Sequence, residues 1–217
     1  MINKENKMKK ATISKLALGL LAALSFGAMA QENPWMVRAR ATHLNWDNGQ
    51  STAAIGPSGY DVNAKNKTIP ELDITYFFTK NIAAELVLSY PQRVEVKAGQ
   101  TSLGTVTALP PTLLAQYHFT QFGPLKPYLG AGINYTRFGS RNLGLGGLAN
   151  AFSVETSSIG YAAQVGADYM LTKNWGINLD VKYIQIETDV IANASNTSAG
   201  TLKLSPIATS VGVTYKF

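Results

Sequence analysis

Cysteine is absent from all 217 residues. That excludes disulfide staples, thiolate metal sites and cysteine nucleophiles. Charge is scarce: Asp, Glu, Lys and Arg make up 15% of the chain, against roughly 25% in an ordinary soluble domain. The two histidines, His43 and His118, are far apart in sequence, and without cysteine they do not make a transition-metal site. No dense carboxylate cluster suits calcium, and no residue pattern calls for a cofactor. Beyond the first thirty residues there is no long uncharged apolar run, so a spanning α-helix of about 20 residues is not expected there.

The net charge of +6 would suit a nucleic-acid binder, but most of it is N-terminal. Lys4, Lys7, Lys9, Lys10 and Lys15 precede residue 31, with Glu5 as the one acid among them. The 14 basic and 12 acidic residues that remain form no cationic run, so nucleic acid is not an expected partner.

Those lysines lead into the apolar run Leu16 to Ala28, then Ala28-Met29-Ala30 before Gln31. This is the charged, apolar, small-residue order of a secretory signal peptide. Cleavage is expected after Ala30, with Ala28 and Ala30 as the small residues, leaving residues 31–217 as the mature chain. Met8-Lys9-Lys10 would serve equally as a start.

Period-two alternation dominates the mature chain, the mark of strands with two unlike faces. From Ser157 to Leu171, Ile159, Tyr161, Ala163, Val165, Ala167 and Tyr169 share one face, and Gly160, Gln164, Gly166 and Asp168 the other. Strands are expected at Trp35–Trp46, Thr68–Phe78, Ile82–Tyr90, Val106–Phe119, Pro127–Phe138, Ser157–Leu171, Trp175–Tyr183 and Ile207–Phe217. That gives eight, an even number as bacterial outer-membrane barrels require. Short turns (Phe78-Thr79-Lys80-Asn81-Ile82, Leu171-Thr172-Lys173-Asn174-Trp175, and Thr120 to Leu125) alternate with longer stretches at Asp47–Lys67, Pro91–Thr105, Gly139–Thr156 and Glu187–Thr201. The expectation is an all-β, eight-stranded antiparallel transmembrane barrel with short periplasmic turns and four longer external loops.

Trp35, Tyr76, Phe78, Tyr117, Phe119, Tyr169, Trp175, Tyr215 and Phe217 all lie beside a short turn or a terminus. They form an aromatic girdle at one membrane interface. A soluble barrel of lipocalin type would have the inverse polarity, apolar inside and polar outside. Val211, Val213, Tyr215 and the final Phe217 keep alternate spacing, resembling the C-terminal signature by which the barrel-insertion machinery recognises its clients.

Further motifs follow in order. They are Trp35-Met36-Val37-Arg38-Ala39-Arg40, Pro110-Pro111-Thr112 with Gln116-Tyr117-His118-Phe119, Lys126 to Thr136 (KPYLGAGINYT), Gly166-Ala167-Asp168-Tyr169, and Trp175 to Asp180 (WGINLD). Together they resemble the OmpW family, which includes the AlkL-type importers. The resemblance implies an eight-stranded outer-membrane barrel in contact with outer-membrane lipid and lipopolysaccharide. It further implies a narrow hydrophobic channel for passive passage of small apolar molecules, blocked toward the periplasm and released sideways. A structural, receptor or adhesive barrel without transport is the alternative.

The residues themselves suggest how such a channel would be built. Arg38, Arg40, Asp73, Glu85, Asp168, Asp180 and Lys182 should converge in the lower lumen as a charge plug, or simply as a brace. Pro91, Pro110 and Pro111 remove ladder donors on two neighbouring strands and mark a seam for lateral opening. Leu103, Leu109, Leu143, Leu145, Leu148 and Phe152 are candidates for an outer hydrophobic funnel. Catalysis is not expected: His43 has Asp47 and Ser51 nearby, but no acyl-transfer motif accompanies it.

Overall fold

Burial alternates along β1 (Trp35–Trp46). Met36, Arg38, Arg40, Thr42, Leu44 and Trp46 are buried, while Trp35, Ala39, Ala41, His43 and Asn45 are exposed. Successive strand side chains point to opposite faces, so one segment supplies both a lumen and an outer wall. The computed structural model describes residues 33–46, 62–63, 66–98, 101–139, 142–145 and 148–217. The expected cleavage site at Ala28 and Ala30 lies outside the described residues.

Fourteen further strands follow among the described residues. They are β2 (Val62–Asn63), β3 (Lys67–Phe77), β4 (Ile82–Ser89), β5 (Gln92–Ala98), β6 (Thr101–Leu109), β7 (Thr112–His118) and β8 (Leu125–Phe138). The rest are β9 (Asn142–Leu145), β10 (Leu148–Val154), β11 (Ser157–Met170), β12 (Trp175–Ile184), β13 (Glu187–Ala192), β14 (Thr197–Lys203) and β15 (Pro206–Lys216). Eight of them (β1, β3, β4, β7, β8, β11, β12 and β15) pair antiparallel in a closed ring. Closure runs from Met36↔Lys216 to Trp46↔Pro206, and the Phe217 N–H donates to the Trp35 carbonyl at 3.1 Å.

Two expectations change. The strand expected at Val106–Phe119 is two, β6 and β7, because Pro110 and Pro111 carry no N–H to continue a ladder. The stretches expected as loops at 91–105, 139–156 and 187–201 contain paired strands. β5 pairs β6, and β9, β10, β13 and β14 form a second sheet. Their Asn, Ser, Thr and Gly content hid inward apolar residues, Val94, Leu143, Val154 and Val190 among them.

The outward face is apolar. Leu72, Leu113, Ile133, Ile159, Val165, Leu179, Val211 and Val213 are exposed, far more than a soluble monomer leaves to water. Lipid is the solvent that matches this wall. The girdle is continuous in stretches: Trp35–Tyr76, Tyr76–Phe78, Tyr117–Phe119, Trp175–Tyr215 and Tyr215–Phe217 have ring centroids 4.8 to 5.2 Å apart, all edge-on. Val211 and Val213 point outward above Tyr215 and Phe217.

The two Thr-Lys-Asn turns close by the same bonds. Thr79 Oγ1 accepts from the N–H of Asn81 (3.2 Å) and Ile82 (2.9 Å), and Thr172 Oγ1 accepts from Asn174 (3.2 Å) and Trp175 (2.9 Å). Each asparagine then reaches the next strand. Asn81 Nδ2 donates to the His118 carbonyl and Asn174 Nδ2 to the Lys216 carbonyl, both at 2.7 Å. Thr79→Val and Thr172→Val should each lower stability by about 1–2 kcal/mol, read as a lower urea midpoint for unfolding from lipid vesicles.

Candidate functional site

Inward residues change character with height. On β1 they run Met36, Arg38, Arg40, Thr42, Leu44, Trp46; on β12 they run Asn178, Asp180, Lys182, Ile184. The lumen is therefore layered.

At the periplasmic end Met36, Phe77 and Ala83 form a small apolar cluster. The His118 ring lies 4.8 Å from that of Phe77 and 5.1 Å from that of Tyr128. Lys216 Nζ sits 5.6 Å from the Phe77 ring.

Above this lies an ionic layer. Register sets it up: Arg38 is opposite Asp73 and Arg40 opposite Glu71 on β3. Arg38 makes a two-pronged bond to Asp168, Nε to Oδ1 at 3.0 Å and Nη2 to Oδ2 at 2.7 Å. Its Nη1 donates to Glu85 and, at 3.1 Å, to Thr75 Oγ1. Its guanidinium stands 4.7 Å over the Tyr128 ring.

Arg40 pairs with Asp73, with Glu71 at 3.2 Å, with Asp180 at 3.3 Å and with Glu85 at 3.4 Å. Lys182 Nζ donates to Glu71 Oε1 at 3.2 Å. All eight charged groups are buried or nearly so. Charges held out of water persist only when paired and hydrogen-bonded, and neutral groups complete the pairing here. Tyr128 donates to Asp180 (2.9 Å), Asn178 to Asp168 (2.9 Å), Thr214 to Asp168 (2.6 Å) and Gln164 to Glu85 (2.9 Å).

The structure thus brings together Arg38, Arg40, Asp73, Glu85, Asp168, Asp180 and Lys182. Sequence reasoning missed Glu71, Tyr128, Asn178 and Gln164. Glu71 lies two residues from Asp73 on the same face, so its place was legible. Tyr128 is the one described aromatic of β8's inward phase outside the apolar end of that strand, and assigning aromatics to the girdle obscured it. Gly166 faces its ring, and a Cβ there would meet the Tyr128 hydroxyl end and the Leu179 carbonyl.

The outer half of the lumen is apolar. Strand tops supply Leu44, Trp46, Ile69, Val87, Leu114, Phe138 and Ile184, and the external hairpins supply Val94, Leu103, Val106, Leu143, Val190, Leu202 and Leu204. Of the expected funnel residues, Leu103 and Leu143 belong to this cluster, and Phe152 packs against it. Leu109 is half-buried at the end of β6. Leu145 and Leu148 pair between β9 and β10, and their side chains lie outside the described residues. The strand-top contribution was missed because the inward face was treated as polar throughout.

The proline seam falls just above the lowest apolar rung of the outer half on these strands, Val87 and Leu114. The β4–β7 ladder ends at Val87↔Thr112, and the β5–β6 ladder begins at Gln92↔Ala108. Residues 88–91 and 109–111, including Pro91, Pro110 and Pro111, share no ladder pair across that line. Their outer flanks stay anchored. Leu88 and Ser89 pair with Leu72 and Glu71, Leu109 pairs with Arg137, and Tyr135 N–H donates to the Pro111 carbonyl at 3.1 Å. Further out, Lys67 Nζ reaches the Arg93 carbonyl at 3.1 Å. Three to four residues at about 3.3 Å each give an interruption roughly 10–13 Å tall.

Among the described residues no group of three or more His, Cys, Asp or Glu is arranged to hold a metal. His43 is exposed on the outer wall, with Nδ1 3.1 Å from Thr68 Oγ1.

Comparison with known proteins gives one consistent result. The profile of the OmpW family matches residues 31–217. The outer-membrane protein y4mB of Sinorhizobium fredii is 42% identical over 212 residues, covering 95% of this chain and 90% of its own. Outer membrane protein AlkL of Ectopseudomonas oleovorans is 32% identical over 163 residues, covering 72% and 69%. The crystal structure of OprG from Pseudomonas aeruginosa is similar with a TM-score of 0.69 at 27% identity, covering 86% of this chain and 97% of that one.

Removing Arg38 leaves Asp168 buried without the cation it pairs with. Arg38→Met should therefore cost about 3–5 kcal/mol, seen as a lower urea midpoint in vesicles.

Proposed function

This chain belongs to the OmpW family of outer-membrane barrels, and from that premise we propose that it passes small apolar molecules inward without energy input, releasing them sideways into the membrane. The carrying observation is the layered lumen: an apolar outer half above an ionic layer, with the β4–β7 ladder ending low in the apolar half, at Val87↔Thr112. An apolar molecule is stable in the outer half and unstable among buried ions, where it would separate charges that have no water to turn to. Its continuation is lateral, toward lipid, and the seam, residues 88–91 against 109–111, offers a stretch of wall without a ladder pair.

In this reading Arg38, Arg40, Asp73, Glu85, Asp168, Asp180 and Lys182, with Glu71 and Tyr128, plug the lumen toward the periplasm. Pro91, Pro110 and Pro111 keep the seam free of ladder bonds. Leu103, Leu109, Leu143 and Phe152 join the strand tops in the funnel. The barrel is porin-like in class rather than an enzyme. Residues 1–30 act as a signal peptide removed after Ala30. Val211, Val213, Tyr215 and Phe217 are read by the insertion machinery, and lipopolysaccharide surrounds the outer wall.

The test is to restore the ladder. Changing Pro91, Pro110 and Pro111 to Val or Thr together should lower uptake of an apolar fluorescent tracer into vesicles at least tenfold, while heat-modifiable migration stays that of a folded barrel. Unchanged uptake by the folded variant would sink the lateral route.

A further inference from the structure

The apolar outer lumen holds buried polar atoms without a hydrogen-bond partner in the protein. Among the described residues, the Trp46 indole N–H, the Gln92 side-chain oxygen and the Thr188 hydroxyl are buried without a hydrogen-bond partner. Their residues are 6%, 1% and 2% exposed. The other such atoms belong to Asp73 and Asp180, whose carboxylates are already paired in the ionic layer.

All three face the same apolar surroundings. Trp46 is a member of the outer cluster, Gln92 shares the inner face of β5 with Val94, and Thr188 shares that of β13 with Val190. Gln92 is also the first residue above the seam, opposite Ala108. Its Nε2 donates to the Tyr90 carbonyl at 2.7 Å. That bond fixes which end of the amide is which, leaving the oxygen as the open acceptor. Leaving a buried polar atom unpaired is costly, and native proteins do it rarely and for a reason. A bare hydrocarbon passing through this region would leave all three atoms unpaired.

The chemistry of the three selects the partner. The indole N–H only donates, the amide oxygen only accepts, and the threonine hydroxyl does either. A ketone or ester oxygen could meet Trp46 and Thr188 but not Gln92. A hydroxyl group can meet each in turn. We propose that the outer lumen is a binding path for apolar alcohols, aliphatic or phenolic, in preference to bare hydrocarbons. This rests on the transport reading above and adds a substrate class to it.

Brominated ligands test it, because bromine quenches nearby tryptophan. The chain has three tryptophans. In the Trp35→Phe/Trp175→Phe protein, Trp46 alone reports on the outer lumen. In phosphatidylcholine vesicles, 2-bromo-1-decanol, whose bromine is next to the hydroxyl-bearing carbon, should quench Trp46 at about fivefold lower bilayer mole fraction than 2-bromodecane, the effect of one net hydrogen bond. Gln92→Leu and Thr188→Val, each checked for folding by heat-modifiable migration, should both shrink that ratio toward one. Equal quenching by the two ligands, or a preference that neither substitution reduces, overturns the alcohol selectivity alone. If neither ligand quenches Trp46, the apolar route fails together with it.

Discussion

The structure depends on one requirement: within hydrocarbon, every backbone N–H and C=O must find its partner inside the protein. Eight strands meet it by closing on themselves, with β15 sewn to β1 from Lys216 to Pro206. Once the ring is closed its bore is set, just wide enough for side chains to fill it. Everything the lumen does must then come from the identity of inward residues. The same requirement makes the seam unusual. Of residues 88–91 and 109–111, three are prolines, which lack the donor the rule would otherwise demand.

Much of the wall was legible in the sequence because alternation is a local property. β1 lies at the expected residues, and β11, β12 and β15 begin or end within a residue of expectation. The girdle was legible for the same reason: its aromatics sit either beside a turn that announces itself by Thr-Lys-Asn or Gly-Pro or, for Trp35, Tyr215 and Phe217, at an end of the barrel sequence. The convergence of Arg38 and Arg40 with distant carboxylates was also within reach, since depth along each strand can be counted from its turn.

The rest depended on height and on distance. Ile184 and Asn178 occupy the same inward phase of β12, yet one lies in the apolar half and the other in the ionic layer. Treating a face as uniformly polar loses that division. The external hairpins were hidden differently. β13 and β14 are rich in Thr, Ser, Ala and Gly, and only their stacking over Ile186 and Leu204 gives Val190 and Leu202 something to bury against. Such pairing is non-local, and no short window of sequence contains it.

The position of both arginines on β1 has a mechanical consequence. Arg38 spans the bore to Asp168 on β11, and Arg40 to Asp180 on β12, while both also grip Glu85 on β4. A thin-walled tube flattens easily when its wall is slit, because the slit removes hoop tension at one height. Chords tied between strands two and three places apart around the ring, below the slit, resist that flattening. The cross-braced layer holds the circumference round beneath the interrupted ladder, so the missing rungs at residues 88–91 and 109–111 need not make the tube go oval.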